Sequence, residues 1–430
     1  MTNLQLPCRL VGGPHEQVMP EQLDDLVAQA VTDARDLAGR DVVLVIPDGT
    51  RSCPLPLLVG TLHRHLSPVV GSLTAVIALG THSYMEPEEI DRLLGVGGPG
   101  QPADLATAYP GLRVVNHEWA DPDMLVHVGT IPAARIAELS EGRLEVDAPI
   151  VINRHVVEAD TAIVVGPVFP HEVVGISGGN KYFIPGVASQ EFIDMTHWVG
   201  ALITSTEIIG TTGITPVRAM INEGAAMIPT RRLALCCVVR SGTGELEAAA
   251  FGTPEDAWAA TAEIASQTHV TWLDEPFQRV IAVMPTRYDD IWTAAKGGYK
   301  TEPAIADGGE VVIYAPHVTE VSETHPEIYE IGYHCRDYFV QQWDDFKHIH
   351  WGVLAHSTHL RGQGTYDVQT GQERLRIRVT LATGIPRETC EQVNLGYLDP
   401  ATVDLDSLAR EPGTTVIPNA GEVLYRLRPS

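Results

Sequence analysis

The chain has 430 residues, of which 44% are hydrophobic and 20% charged, a composition that excludes a disordered or fibrous protein. A formal net charge of −26 argues against binding to nucleic acid or to anionic membrane surfaces, because both need a positive footprint. A small anionic substrate must therefore be bound by a local cluster of Lys, Arg or metal. The length is too great for one ordinary core, so two domains are expected.

The cysteine pattern and the N-terminus predict a cytoplasmic protein. The six cysteines form no CxxC pair and no regular framework, which favours a reducing compartment. Residues 1–17 have neither the basic nor the apolar region of a signal peptide. The apolar runs, such as 73–79, are too short to cross a bilayer.

Helical and strand patterns alternate through the first part of the chain. The predicted elements are a helix at 20–39, buried strands at 41–51, 73–82 and 159–171, a helix around 189–200 and a helix at 254–267. Asp48, His82 and His171 each lie at the end of one of these strands. Open α/β sheets bind ligands at the carboxyl ends of their strands, so we expect a site there.

A second series of elements follows residue 272. It comprises a strand at 279–285, a short helix at 289–298, a strand at 308–317 and strand-like segments at 374–384 and 414–427. The prediction is an α/β protein with two α/β domains, 1–272 and 273–430, mixed or parallel sheets, and an active site in the cleft between the domains. The glycines of "GVGGPG" (95–100) follow a helical pattern, not a strand, so a dinucleotide-binding loop is rejected there.

Two strand ends carry residues that are open to two interpretations. Asp48 and Thr50 of "DGTR" suit a turn and a helix cap, whereas Arg51 and nearby backbone amides could hold a phosphate or carboxylate. His82 of "GTH" could be structural, or it could act as a general acid or base if it faces a cleft.

The segment "SGGNK" (177–181) is the sharper candidate for a ligand site. Gly178 and Gly179 would let the backbone approach a ligand, Ser177 adds a donor, and Lys181 could neutralise an anion or act as a nucleophile. The alternative is a glycine turn with a solvated lysine. The spacing does not match a phosphate-binding GxxxxGK[ST] loop.

The histidines do not form a metal site by local spacing. His197 lies on a predicted helix four residues after Ile193, but it has no HxH or HxxxH partner nearby. His348, His350, His356 and His359 are close in sequence, although only His356 and His359 could share a helix face. A zinc site built from local spacing is therefore not predicted.

An ordered set of motifs resembles the lactate racemase family, whose enzymes use a nickel-pincer nucleotide. The set runs through "DGTR" (48–51), "GTH" (80–82), "NHEW" (116–119), "NRHVVEAD" (153–160) and 170–197, with His171 and His197 ten residues before and sixteen after Lys181. The likeness is strong over 40–200. It is weaker in the C-terminal part, where "IWTAAKGG" (291–298) and 308–317 carry it.

The resemblance implies a role for each matching residue. Lys181 would be joined to the cofactor, a pyridinium bisthiocarboxylic acid mononucleotide, through a thioamide, and His197 would be the fourth nickel ligand. A flat sulfur, carbon, sulfur and nitrogen site suits Ni(II). Asp48, Thr50, Arg51, Ser177, Gly178 and Gly179 would also contact the cofactor.

The implied reaction inverts C2 of a 2-hydroxy acid by transient hydride transfer. His82 and His171 would be the acid–base pair, one for the hydroxyl group of each enantiomer. Lys296 would bind the substrate, with Thr293 and Trp292 beside it. The implied partners are the small-molecule 2-hydroxy acid and the enzymes that make the cofactor, with a homo-oligomer also possible.

Several residues depart from the family pattern. Asn180 stands where arginine is common, Tyr182 where a small residue is usual, Ser52 where proline is common, and Thr293 where the lactate enzymes have glutamine. The shorter Thr293 leaves room, so we expect an aromatic, dicarboxylic or sugar acid instead of lactate. Arg287 could meet a distal carboxylate or could be a surface residue.

Two other functions remain open from the sequence alone. A hydrolase or lyase with histidine-bound divalent metal would need zinc or manganese and not the pincer cofactor. A non-catalytic protein that binds a nucleotide or cofactor would tolerate changes at His82 and His171.

Overall fold

The computed structural model describes residues 6–50 and 52–428, without the side chain of Arg35. Within this part of the chain the strands are β1 (Arg9–Gly12), β2 (Asp41–Pro47), β3 (Ser72–Ala78), β4 (Leu112–Asn116), β5 (Leu125–Ile131), β6 (Ala148–Asn153), β7 (Thr161–Pro167), β8 (Pro170–His171), β9 (Gly175–Ile176), β10 (Arg231–Val239), β11 (Leu246–Gly252), β12 (Val270–Leu273), β13 (Phe277–Val283), β14 (Ile305–Ala315), β15 (Gly364–Asp367), β16 (Gln372–Leu375), β17 (Arg378–Thr383), β18 (Gly396–Tyr397), β19 (Thr414–Ile417) and β20 (Leu424–Leu427).

The described α-helices are α1 (Pro20–Asp33), α2 (Leu55–Leu66), α3 (Pro87–Leu93), α4 (Leu105–Ala108), α5 (Ala133–Leu139), α6 (Arg154–Glu158), α7 (Gln190–Ile203), α8 (Ser205–Ile208), α9 (Pro216–Ala226), α10 (Pro254–His269), α11 (Ile291–Ala294), α12 (Lys296–Tyr299), α13 (Ile328–Ile331), α14 (Arg336–Gln341), α15 (Trp343–Phe346), α16 (Trp351–Arg361), α17 (Arg387–Gln392) and α18 (Leu405–Leu408). Short 3-10 helices lie at Arg35–Leu37, Pro122–Met124, Gly179–Tyr182, Glu302–Ala304 and Pro400–Thr402.

The chain forms two compact units that are not continuous in sequence. Unit 1 contains the residues up to Phe169, Ile176–Ile193 and Arg218–Thr268. Unit 2 contains Pro170–Gly175, Asp194–Val217 and the residues from His269 onward. The division into domains 1–272 and 273–430 stays a prediction.

Unit 1 is built on a mixed sheet. Among the described residues it has seven strands in the order β1-β11-β10-β7-β2-β3-β4. The inner strands β10, β7, β2, β3 and β4 are parallel, and β11 pairs antiparallel with both β10 and β1. Residues 42–47 of β2 and all of β7 are buried, which explains why these strands are continuous apolar runs without alternation.

Unit 2 is built on a second, parallel sheet. Its described strands follow the order β18-β17-β14-β13-β19, and every pairing in that order is parallel. Val280, Ala282, Val311 and Ile313 from the central strands are fully buried in the core on one face of this sheet. The predicted α/β class with mixed and parallel sheets is thus confirmed.

Some element predictions needed correction. The segment 289–298 forms two short helices, α11 and α12. Asp290 caps the first helix by accepting a hydrogen bond from the amide of Thr293. The segment 414–427 holds two strands in different sheets, β19 and β20. The loop 95–100 follows helix α3, as predicted. No helix among the described residues is long and apolar enough to cross a membrane.

Candidate functional site

A tight turn at the end of β2 fixes the side chain of Asp48. Its Oδ1 accepts hydrogen bonds from the amide of Thr50 at 3.1 Å and from the Thr50 hydroxyl at 2.6 Å. The residue is 7% exposed. Asp48 and Thr50 therefore do form the turn that one interpretation of the sequence predicted. Arg51, the predicted phosphate contact of this loop, lies outside the described residues.

His82 is held by the other oxygen of the same carboxylate. Its Nδ1 lies 2.6 Å from Oδ2 of Asp48, and the imidazole is 41% exposed. Because a carboxylate accepts hydrogen bonds, Nδ1 is the donor, and the neutral ring keeps its lone pair on Nε2. In this tautomer Nε2 is the ring nitrogen able to accept a proton; the role of His82 as an acid or base stays a prediction.

The loop that carries His82 is supported by residues from later in the chain. Gly80 has a φ of +60°, and its amide donates to the carbonyl of Gly186 at 2.9 Å. The indole of Trp119 donates to the carbonyl of His82 at 2.9 Å. Gly80 of "GTH" and Trp119 of "NHEW" thus both help to fix the loop that carries His82.

Asn153 and His117 form a buried pair beneath this loop. Asn153 Nδ2 lies 3.0 Å from His117 Nδ1, and His117 Nε2 lies 3.1 Å from the carbonyl of Ala188. Burial lowers the pKa of His117 to about 4, so the ring is neutral at neutral pH. The pair is a structural tie that the separate motifs did not reveal.

The loop with Ser177, Gly178 and Gly179 is shaped by packing against its own unit. Ser177 Oγ accepts from the amide of Phe169 at 3.1 Å, and the indole of Trp258 donates to the Ser177 carbonyl at 2.9 Å. Gly178 has a φ of +86° and Gly179 one of +58°. A Cβ on Gly179 would lie 2.8 Å from Cβ of Trp258. Backbone conformation and packing thus account for both glycines, and their contact with a cofactor stays a prediction.

Arg218, which the sequence did not suggest, lies under this loop. It is 1% exposed, and it donates to the carbonyls of Gly178 (2.9 Å) and Ile176. Its guanidinium lies 4.5 Å from the centre of the Trp258 ring. Burial lowers its pKa to about 9, so it remains charged at neutral pH. Arg218, forty residues after Gly178 in the sequence, therefore holds the glycine turn by hydrogen bonds to its carbonyl groups.

Replacing Gly178 with alanine should destabilise the protein by roughly 2–4 kcal/mol, through left-handed backbone strain and overpacking. The new Cβ would lie 2.5 Å from Cγ2 of Val168. Gly213→Ala is the matched control, because its Cβ meets nothing within 4 Å. Chemical denaturation of both variants measures the effect, and equal stability of the two would contradict this account of the loop.

Lys181 lies in the 3-10 helix Gly179–Tyr182 directly after the glycines. Its side chain is partly exposed, and its amide and carbonyl bond to the carbonyl of Gly178 and the amide of Gly186. The backbone on both sides of the lysine is thus fixed. A lysine so placed presents its amine from a rigid support.

In unit 2, His171 follows β7 and is 5% exposed. Its Nδ1 accepts from the amide of Val173 at 3.2 Å and lies 3.4 Å from Oε2 of Glu172. A Cβ on Gly200 of α7 would lie 2.9 Å from the carbonyl of Val173, so this segment packs closely on α7. His197 lies one turn earlier on α7 and is partly exposed, not enclosed in the core.

Trp292 is enclosed by two imidazoles. The ring centres of His356 and His325 lie 3.8 Å and 4.0 Å from that of Trp292. The His356 ring is stacked on the indole at an angle of 10°, and the His325 ring is tilted by 34°. Thr293 bonds through its hydroxyl to the carboxylate of Asp290 at 2.8 Å, as part of the start of α11.

Lys296 and Lys300 lie one turn apart at the next helix. The ammonium of Lys296 is 4.8 Å from the centre of the Tyr288 ring, and that of Lys300 donates to the carbonyl of Glu422 at 2.9 Å. Arg287 pairs with the carboxylate of Glu422 at 2.8 Å. An ion pair thus already engages the arginine that the sequence offered for a distal substrate carboxylate.

The four histidines between 348 and 359 have separate environments. His348 is exposed, His350 lies 3.1 Å from the carboxylate of Asp194, and His356 stacks on Trp292. His359 is 3% exposed, and neither of its ring nitrogens has a hydrogen-bond partner among the described residues. Across residues 6–50 and 52–428, no group of three or more His, Cys, Asp or Glu side chains could hold a metal ion.

The order of these residues matches a known domain. Residues 13–209 match the lactate racemase N-terminal domain. This part of the chain is therefore similar to the N-terminal domain of lactate racemases. The chain is 28% identical over 201 residues to lactate racemase of Thermoanaerobacterium thermosaccharolyticum and 25% identical over 184 residues to that of Lactiplantibacillus plantarum. The matches cover 44% and 42% of this chain, and the chain spans only 41% and 38% of those two proteins.

Solved structures match over nearly the whole chain. A crystal structure of a Thermotoga maritima protein is 33% identical, with a TM-score of 0.85, and covers 96% of this chain and 100% of its own. The lactate racemase apoprotein of T. thermosaccharolyticum has a TM-score of 0.69 at 19% identity, covering 97% of this chain and 100% of its own. The second likeness establishes a shared fold.

Asn180 departs from the lactate racemase pattern, and the structure accounts for it. The residue is 1% exposed; its amide donates to Asn222 at 3.0 Å and to Glu255 at 2.7 Å, and its oxygen accepts from Arg232 at 2.8 Å. Burial would raise the pKa of Glu255, but the bond from Asn180 and the charge of Arg232 leave it lowered. Asn180 thus points into unit 1 and anchors the backbone next to Lys181.

Tyr182, the second departure, packs against β7. A Cβ on Gly166 would lie 2.2 Å from the Tyr182 hydroxyl and 2.4 Å from its ring carbon Cζ. The Tyr182 side chain thus occupies space on β7 that is open because Gly166 has no side chain. Both departures are accommodated inside unit 1, and the tether role of Lys181 stays a prediction.

Proposed function

We propose that this chain is a 2-hydroxyacid racemase or epimerase that works with a nickel-pincer nucleotide. The observation that carries the proposal is the 2.6 Å contact between Asp48 and His82 Nδ1. Such a contact prepares an imidazole for proton transfer at Nε2. At 41% exposure the imidazole is also accessible to a substrate.

The available side chains fit the cofactor. Lys181 supplies an amine on a rigid turn, and His197 supplies a partly exposed imidazole, the nitrogen ligand that a flat Ni(II) site accepts. Asp48 and Thr50 hold the adjoining strand-end loop in place. When bound, the nucleotide supplies a carbon that accepts a hydride from C2 of the substrate and returns it.

The remaining chemistry falls to residues of the chain. His82 takes the hydroxyl proton of one enantiomer at Nε2, and His171 exchanges a proton with the hydroxyl oxygen of the other. Lys296 neutralises the substrate carboxylate, which answers how a protein of net charge −26 binds an anion. Removing the hydroxyl proton in the same step eases departure of the C2 hydrogen as a hydride.

A substrate larger than lactate remains our proposal. Thr293 is shorter than the glutamine of the lactate enzymes, and its hydroxyl is bonded to Asp290. The imidazoles of His356 and His325 already pack against the Trp292 ring. Stacking of an aromatic acid on Trp292 is therefore disfavoured, and dicarboxylic and sugar acids become the leading classes.

The test is a panel of 2-hydroxy acids deuterated at C2, given to protein co-expressed with the cofactor-making enzymes. We expect inversion of at least one acid with its deuterium retained, since the hydrogen leaves and returns as a hydride. Exchange with solvent would indicate proton abstraction instead. Activity that zinc or manganese alone restores would favour a metal-dependent hydrolase or lyase.

A further inference from the structure

Glu172 lies beside His171 without forming an ordinary hydrogen bond to it. Its Oε2 is 3.4 Å from His171 Nδ1, and the two side chains are 16% and 6% exposed. The Val173 amide already donates to that nitrogen at 3.2 Å. In the neutral ring Nδ1 is therefore an acceptor, and the proton is on Nε2.

His82 has the opposite arrangement. Its Nδ1 donates to Asp48 at 2.6 Å, so its neutral form carries the proton on Nδ1. The two histidines proposed as an acid–base pair are thus prepared in different tautomers. When His171 becomes the imidazolium, Nδ1 gains a proton that needs an acceptor, and the Val173 amide can only donate.

Basic groups surround Glu172 within unit 2. Burial would raise the pKa of Glu172, but a hydrogen bond from its own backbone amide and the basic side chains of His359, Lys300 and Lys296 leave the pKa lowered. At neutral pH the two lysines carry the charge, because burial lowers the pKa of His359 to about 4. The carboxylate is therefore ionised at neutral pH. It is a fixed negative charge at the distance of an ion pair from His171.

We propose that Glu172 is a positioning residue for His171. The Glu172 carboxylate accepts a hydrogen bond from Nδ1–H when the His171 ring becomes an imidazolium. This inference rests on the proposed function, in which protonation of His171 is a step of the reaction. In the imidazolium Nδ1 is protonated and no longer accepts from the Val173 amide. The Glu172 carboxylate then provides the hydrogen bond that holds the ring. Glu172 holds the Nδ1–H group while Nε2 gives its proton to the substrate oxygen, which leaves a neutral ring protonated on Nδ1 and able to take that proton back at Nε2.

Nuclear magnetic resonance of ¹⁵N-histidine-labelled protein tests the inference without any turnover. The His171 and His82 signals are assigned by their absence from His171→Gln and His82→Gln proteins. In the unsubstituted protein above the titration range, we expect the Nε2–H tautomer at His171 and the Nδ1–H tautomer at His82. An Nδ1–H tautomer at His171 would overturn the inference, and this measurement needs no variant at Glu172.

Glu172→Gln then removes the charge and keeps the shape. We expect the proton affinity of His171 to fall about tenfold or more, because an opposite charge at this distance favours the charged form. His82 should titrate as before, and Glu172→Asp should restore part of the loss. Unchanged titration of His171 in Glu172→Gln would refute the positioning role.

Turnover separates this inference from the proposed function. In cofactor-loaded protein, Glu172→Gln should lower kcat and shift its pH profile with KM nearly unchanged. If the unsubstituted protein inverts no acid of the panel, the proposed function fails. The resonance experiment still decides whether Glu172 positions His171.

Discussion

Replacing Lys181 with alanine should abolish covalent attachment of the nickel-pincer nucleotide and lower racemisation at least about a hundredfold. The reason is that a tether converts cofactor binding into an intramolecular event with a high effective concentration. The turn that presents the lysine is fixed by Gly178, Gly186 and the anchored Asn180. The fold should survive, since the Lys181 side chain is partly exposed.

Two further variants separate attachment from charge. Lys181→Arg keeps the positive charge but lacks the nucleophilic amine, so it should also yield an unmodified peptide. Lys347→Ala changes an exposed lysine that is paired with Asp344 and should leave attachment unchanged. The mass of the peptide containing residue 181 and nickel analysis after gel filtration measure the result. A modified peptide from Lys181→Ala would contradict the tether.

The strand-end residues could be predicted because their signals are local. An apolar run followed by Gly-Thr-His or Asp-Gly-Thr identifies the strand, its end and a candidate site residue in about ten residues. Asp48 and His82 could not be paired from sequence, since 34 residues separate them along the chain. Their contact follows from the parallel pairing of β2 and β3, which places both strand ends at one edge.

The supports of the site were beyond prediction for a related reason. Arg218 and Trp258 contact the glycine turn from positions 40 and 81 residues away, and neither belongs to a motif. Gly178 and Gly179 suggested a close approach to a ligand, yet the same glycines are required by positive φ and by Trp258. The sequence alone cannot distinguish a glycine that contacts a ligand from one required by backbone conformation and packing, because both need a residue without a Cβ.

Trp292 shows the same limit in unit 2. Its place beside Thr293 suggested a contact with the substrate, which stays a prediction. The sequence could not show that His325 and His356, 33 and 64 residues further along the chain, pack against its ring. Of the histidines that resembled a metal cluster, His356 packs against an aromatic ring and His350 bonds to a carboxylate. Residue type predicted the chemistry that was possible, and tertiary packing selected among the possibilities.

Replacing Asp48 with asparagine should lower kcat by about 10²–10⁴-fold in cofactor-loaded protein, the range expected when a general base loses its correct protonation state. The side-chain amide introduced in Asp48→Asn could donate to Nδ1 of His82, which would move the ring proton to Nε2 and remove the lone pair that accepts the substrate proton. The turn should persist, because the asparagine oxygen can still accept from Thr50.

Asp160→Asn is the matched control for this change. Asp160 precedes β7 at the opposite end of the strands in unit 1, where it bonds to Arg40 and to the amide of Asp41. Its loss should cost a little stability and no activity. Steady-state kinetics across pH, with both enantiomers as substrate, distinguish the outcomes. A kcat in Asp48→Asn equal to that of Asp160→Asn would mean that the carboxylate only shapes the turn, whereas a loss larger in one direction would assign His82 to one enantiomer.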